Sequence, residues 1–256
     1  MGIDYIAHHL SRPHEIKAAM EKLPVAFIGL GILEWHGEHN AVGLDGVKAD
    51  GVAIHFARKY GGVAMPPLFW GDFRERTAEV VFTEERFSYD HTVPICEKLG
   101  YDRSAMFKNA RRGELAGRWA LWIQLMTHML FEMESFGYKL IVPVPGHYPL
   151  MGPLRLAIER FHLEGGVCDV FPVTDRMYDD TGSAGDHAGA FETSLMMAMF
   201  PELVEMDRLD PDLAKENIGV GGDDPRTHAS AEFGREILSR FDAALEAHMK
   251  ETGLWK

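Results

Sequence analysis

Two runs of apolar, β-branched and aromatic residues stand out along the chain, Val25 to Leu30 (VAFIGL) and Leu140 to Val144 (LIVPV). Neither alternates with polar residues, so each predicts a strand buried on both faces, as in a parallel sheet covered by helices. Weaker runs at Val63 to Leu68 and Val167 to Val173 predict two more strands. Between them, apolar positions recur at helical spacing over about 12–22, 47–59, 114–136, 150–163, 187–199 and 229–250. Gly137 closes the third of these, as a residue suited to the left-handed turn after a helix. Strands alternating with helices, and no Pro/Gly/Ser-rich linker or repeat, predict an α/β fold with residues 1–256 in a single domain. Residues 71–112 fit this scheme less well. They carry mixed charges, a helical-looking stretch and no clean strand, and are read as a lid or insertion.

Composition narrows the function classes. With 256 residues, 46% of them hydrophobic, the chain can bury a full core. Its 26 basic and 39 acidic residues leave a formal charge of −13, which repels phosphate backbones and anionic lipid surfaces. Neither nucleic acid nor membrane is an expected partner. The apolar run from Leu115 to Phe131 is broken by Arg118, Gln124, Thr127 and His128 and reads as a buried helix. The first residues lack the apolar core of a signal peptide, and Cys96 and Cys168 are too few for a disulfide framework, so a cytoplasmic location is expected.

Candidate chemistry gathers where the predicted strands end. The first is followed by GILEWHGEHNAVGLDG, which sets Glu34, His36, Glu38, His39 and Asp45 at the carboxyl end of a buried strand, where open α/β sheets bind ligands. In extended chain, Glu34 and His36 point to one side and can approach a shared pair of metals, with Asp45 returning from the loop. Mixed imidazole and carboxylate donors suit zinc, manganese or iron. An exposed polar loop is the alternative. The second strong strand ends in PGHYP, which places His147 and Tyr148 at the same sheet edge. A third block, GDHAGAFETSLMMAMFPEL, holds Asp186 and His187 at a helix start and Glu192 in a helix rich in Leu and Met, an uncomfortable place for a bystander carboxylate. Capping by Asp186 and His187, with Glu192 on a solvated face, is the alternative there.

Rival motifs fail. In GLGILE, Glu34 replaces the third glycine of a dinucleotide fingerprint and would repel a pyrophosphate. The sequence contains no phosphate-binding G-x-x-x-x-G-K-[ST] loop, no H-E-x-x-H and no G-x-S-x-G, and GVGGDD from Gly219 reads as a turn.

Together, LGILEWHGEH-x5-D, the strand-end PGHY and HAGAFETSLMMAMFPELVEMDRL resemble the signature blocks of the creatininase family of metal-dependent amidohydrolases. The resemblance runs from about Leu23 to Leu209. It implies a three-layer α/β/α sandwich with a mainly parallel central sheet, two divalent ions per subunit (zinc, manganese or both, with iron also suited) and a homo-oligomer, usually a hexamer. Carried over, Glu34, Asp45 and His147 would hold one ion, His36 and Asp45 the other, and Asp45 would bridge. His187 would be the acid/base. Tyr148, next to His147, either lines the pocket or stabilises developing negative charge, or it packs over the sheet edge. Creatininase proper has a glutamate ligand two residues beyond the strand-end histidine, whereas Pro149 stands here and Glu192 is the natural replacement. Its ring-closing tryptophan, four residues before the catalytic histidine, is Ser183 here.

The implied activity is hydrolysis of a small cyclic amide or related carbonyl compound by a metal-bridging hydroxide, with a substrate other than creatinine. Arg74 and Arg76, in the 71–112 segment, and Ser183 would help select a more polar molecule. The alternatives are ring-opening C–C hydrolysis of a cyclic polyol ketone, as in inositol-type catabolism, and a non-catalytic protein that binds a small ligand.

Overall fold

The computed structural model describes residues 4–71, 89–100, 118–178 and 185–255. Its centre is a sheet of four parallel strands in the order β2-β1-β3-β4: β1 is Val25–Leu30, β2 Val63–Ala64, β3 Leu140–Pro145 and β4 Asp169–Val170. The two strongest runs of the sequence are the central pair, in register from Val25 opposite Leu140 to Leu30 opposite Pro145, with every residue of both buried.

Their side chains alternate between two cores. Phe27, Val142 and Val144 face α2 (Leu44–Tyr60), and that core is completed by residues such as Leu195 and Ile237. Ile28, Leu30 and Ile141 belong to the opposite core with Trp122, Leu154 and Phe161. Both faces are therefore covered, which explains why these strands read as unbroken apolar runs. Among the described residues, the helices after α1 (Pro13–Lys22) and α2 are α3 (Tyr89–Leu99), α4 (Arg118–Ser135), α5 (Met151–Leu163), α6 (Ala190–Met199), α7 (Pro225–His228) and α8 (Ala231–Glu251). Helices α1, α4 and α5 supply residues to one core, and α2, α6 and α8 to the other. The result is the three-layer α/β/α sandwich with a parallel sheet. Among the described residues, no helix is long and apolar enough to cross a membrane.

The outer strands are shorter than the apolar runs suggest. Beyond β4, Phe171 and Val173 donate to the carbonyls of Ile141 and Pro143, but Pro143 has no N–H to return, and regular pairing ends. Helix starts also follow from named side chains. Ser230 caps α8 by accepting from Phe233, and both oxygens of Asp186 accept from the N–H groups of Phe191 and Glu192, so α6 begins at Ala190 rather than at His187. After α4, Gly137 takes a φ of 98°, as its expected stop requires.

Within the 71–112 segment, α3 is seated by Ile95 and Cys96 against Trp35. Residues 72–88 and 101–112, which include Arg74 and Arg76, lie outside the described residues, as does Ser183.

Two glycines let α2 enter the sheet at the ends of β1 and β3. A Cβ on Gly31 would stand 2.2 Å from the Gly46 nitrogen, and one on Gly146 would stand 2.0 Å from the Asp45 carbonyl oxygen. The backbone carrying Asp45 thus rests directly on the strand ends, a contact that a side chain at either position would wedge open. Gly146→Ala should lower stability by about 1–3 kcal/mol, the usual cost of overpacking. A urea midpoint equal to that of the unaltered protein would contradict this close approach.

Candidate metal centre

The segment leaving β1 is extended, and its side chains alternate. Trp35 turns to α3 and donates its indole N–H to the Ile218 carbonyl, while Glu34 and His36 face the opposite way into the protein. Asp45 comes from the first turn of α2, His147 from the turn after β3, and Glu192 from the first turn of α6. All five are buried and meet above the carboxyl edge of the sheet.

Asp45 stands in the middle. Its Oδ1 lies 3.2 Å from His36 Nε2 and its Oδ2 3.2 Å from His147 Nδ1. Glu34 Oε2 is 3.2 Å from the same His147 nitrogen, and Glu192 Oε2 is 3.6 Å from His36 Nε2. Ligand atoms within 4.8 Å of one another form the sets Glu34–Asp45–His147 and His36–Asp45–Glu192, which share Asp45. A third set, Glu34–His36–His187, overlaps both. Both oxygens of Glu34, Asp45 Oδ2 and His36 Nε2 are fully buried without an aligned hydrogen bond, although an imidazole nitrogen lies 3.2 Å from two of them. Buried, unsatisfied carboxylate and imidazole atoms converging on shared points are the donor set of a transition-metal centre, and zinc or manganese fits it.

Backbone contacts aim the imidazoles. His36 Nδ1 faces the Glu34 carbonyl at 3.1 Å, which makes Nδ1 the protonated nitrogen and turns Nε2 to the carboxylates, the second contact that metal-ligating histidines ordinarily make. Burial alone would depress His36, but Asp45, Glu192 and Glu34 outweigh it and push its pKa up to about 9. Asp45 moves the other way: against the effect of burial, His36 and His147 hold it well below the usual carboxylate range. Glu34 is likewise lowered, because His147 and His187 outweigh its burial. The cluster therefore attracts positive charge.

His187 stacks on His36 with ring centroids 4.3 Å apart, and its Nε2 lies 2.7 Å from the Trp35 carbonyl. A carbonyl only accepts, so Nε2 carries the proton, and Nδ1 faces Glu34 Oε2 at 3.8 Å. Burial, then the neighbouring His36, lowers the pKa of His187. Its backbone is clamped from both sides of the peptide by Gly221, which places the GVGGDD turn against the site. Next to it, Ala188 has a φ of 54°, a left-handed conformation that L residues seldom adopt, and its N–H meets Glu192 Oε2 at 2.8 Å.

Other members of the sequence cluster lie elsewhere. Glu38 pairs with Lys98 at 2.7 Å, and His39 turns to Thr193 of α6, where burial pushes its pKa down to about 4. Tyr148 stands on the rim, 53% exposed. Pro149 lies in the short turn that leads into α5 and offers no ligand atom.

Sequence reasoning missed Lys48. Although it reads as an ordinary charged helix position, the residue is only 2% exposed, and its Nζ lies 2.5 Å from Glu192 Oε1 and 3.8 Å from Asp175 Oδ2. Burial would lower its pKa, yet Asp175 and Glu192 raise it above the ordinary lysine value. The available signal was its spacing, one helical turn after Asp45.

Comparison with known proteins places the chain in a family. The family model for creatininase, described as creatinine amidohydrolase, matches residues 105–248, more than half of the chain and a span that includes His147, His187 and Glu192. A creatinine amidohydrolase of Pseudomonas putida is 24% identical over 205 residues, covering 72% of this chain and 68% of that protein. A solved structure described as creatininase Mn shares the fold with a TM-score of 0.66 at 19% identity, covering 97% of this chain and 98% of that one. A mutant creatininase of Zn-Zn type gives 0.64 at 18% identity, with the same coverage. The chain belongs to the creatininase family of metal-dependent hydrolases.

Proposed function

We propose that this protein hydrolyses a small, polar, cyclic amide or related carbonyl compound at a two-metal centre, with one ion between Glu34, Asp45 and His147 and the other between His36, Asp45 and Glu192. The observation that carries this reading is the position of Asp45, whose two oxygens face different histidines. Zinc and manganese suit the donors and also occur in the descriptions of the related structures. Bound there, two divalent ions would polarise a carbonyl and bring the pKa of a water towards neutrality.

The chain's own groups supply the rest. His187, with its proton on Nε2 held by the Trp35 carbonyl, offers Nδ1 on the cluster side to take a proton from the attacking water. Its lowered pKa favours the neutral form that can do so, and the same atom then passes the proton to the leaving nitrogen. Glu192 is fixed at both ends. Lys48 holds Oε1, and the Ala188 N–H holds Oε2 in an orientation that also faces His36.

The substrate is read as one other than creatinine. In support, Pro149 occupies the position where the resemblance expects a glutamate ligand, and Ser183 the position of the ring-closing tryptophan. Assembly as a homo-oligomer, a hexamer by the resemblance, belongs to the same reading.

Asp45→Ala should lose both ions, because it removes the shared carboxylate. Elemental analysis finding a full complement in that variant would refute the bridging assignment. His187→Ala should keep its metal and lose about 10²–10⁴-fold in turnover, the range for a positioned acid/base; loss of metal instead would make His187 a ligand. Lys48→Met strands the buried Glu192 carboxylate and should destabilise the metal-stripped protein by about 3–5 kcal/mol. Adding Glu192→Leu should recover much of that loss in urea unfolding. No recovery would mean that Lys48 stabilises the fold by some route other than Glu192.

A further inference from the structure

Beside the metal centre lies a second concavity. Immediately after His147, Tyr148 borders a cavity of about 480 Å³ that reaches past α5 towards the end of β4, with Met151, Arg155, Ile158, Pro172 and Arg176 among its walls. Arg176 sits in the short turn Asp175–Met177. Its guanidinium carbon lies 5.1 Å from the centroid of the Tyr148 ring, and the group also donates to the phenol oxygen. The turn is fastened from within, since Asp175 reaches Lys48 in the buried charge network. One residue thus anchors the turn to the site, and the next presents a cation to the cavity.

The charges around this cavity do not cancel. Among the described residues Arg176 forms no ion pair, whereas Arg155 lies 3.8 Å from Glu159, the one carboxylate on these walls. Among the described walls that leaves a single positive charge, on a chain whose net charge is −13. A guanidinium lying over an aromatic ring, with one N–H on its hydroxyl, still has further N–H groups to offer a carboxylate. One positive charge balances a carboxylate better than a doubly charged phosphate monoester. The neighbouring apolar side chains Met151, Ile158 and Pro172 offer contact to the carbon skeleton that carries the charge.

We infer that Arg176, seated on Tyr148, anchors a carboxylate of the substrate, so that the compound hydrolysed is an anionic, carboxylate-bearing small amide. The word substrate rests on the hydrolase reading above, whereas the preference for a carboxylate can be measured without it.

The test is calorimetric titration of a matched pair, hydantoin-5-acetate and its neutral amide hydantoin-5-acetamide, into zinc-loaded and EDTA-stripped protein. The unaltered protein should bind the carboxylate about tenfold or more tightly than the amide in both forms, the scale of one charge-assisted contact. Arg176→Gln should abolish that difference, and Arg176→Lys, which keeps the charge but not the fork, should retain only part of it. Circular dichroism establishes that the variants are folded. Equal affinity for the two compounds, no detectable binding of either, or a preference that survives Arg176→Gln would overturn the inference. So would a preference seen only with zinc present, since it would come from direct contact with the metal. Failure of the two-metal reading appears separately, as the zinc content of the loaded protein.

Discussion

The arrangement turns on burying three carboxylates at one end of a sheet. Glu34, Asp45 and Glu192 are withdrawn from water within a few ångströms of one another, and each would be costly to ionise there alone. Positive charge has to come to them. Lys48 brings it permanently to Glu192, and His36, with its raised pKa, brings it to Asp45. The oxygens left without an aligned hydrogen bond, both of Glu34 and Oδ2 of Asp45, face the place where ions of a two-metal hydrolase would sit. The glycines at the ends of β1 and β3 serve the same cluster, because without their close approach α2 could not lower Asp45 between the two histidines.

The two halves of the centre are held differently. Glu34, Asp45 and His147 come from segments pinned to the two central strands, and their atoms meet mainly one another. The other half depends on Glu192, which reaches across from α6 and is gripped by Lys48 and by a strained backbone turn at Ala188. That turn also sets His187, and its neighbour Asp186 caps the helix that carries Glu192. His187, the helix start and Glu192 are thus one short structural unit, which accounts for their lying so close together in the sequence.

Much of this was legible in the sequence, for identifiable reasons. The central strands are buried on both faces, so their apolar runs are unbroken, and the polar blocks following them could be assigned to one sheet edge. The two-residue spacing of Glu34 and His36 put them on one side because that segment is extended, with Trp35 facing away. His39 sits in the same cluster but falls after a turn at Gly37, whose φ is 73°, and spacing along the chain could not foresee its turning to Thr193. Lys48 and Asp175 were illegible for another reason. A lysine on a helix reads as solvated until its partner is known, and that partner, Glu192, lies 144 residues away. The strand at β4 was overestimated because Pro143 interrupts a ladder that apolar residues alone would continue.

A crystal structure of the protein grown with zinc, with anomalous data collected on both sides of the zinc edge, tests the central claim most directly. The account predicts two zinc peaks joined by the carboxylate of Asp45, one beside Glu34 and His147 and the other beside His36 and Glu192. A single peak, or a pair of peaks in which Asp45 contacts only one, would contradict it.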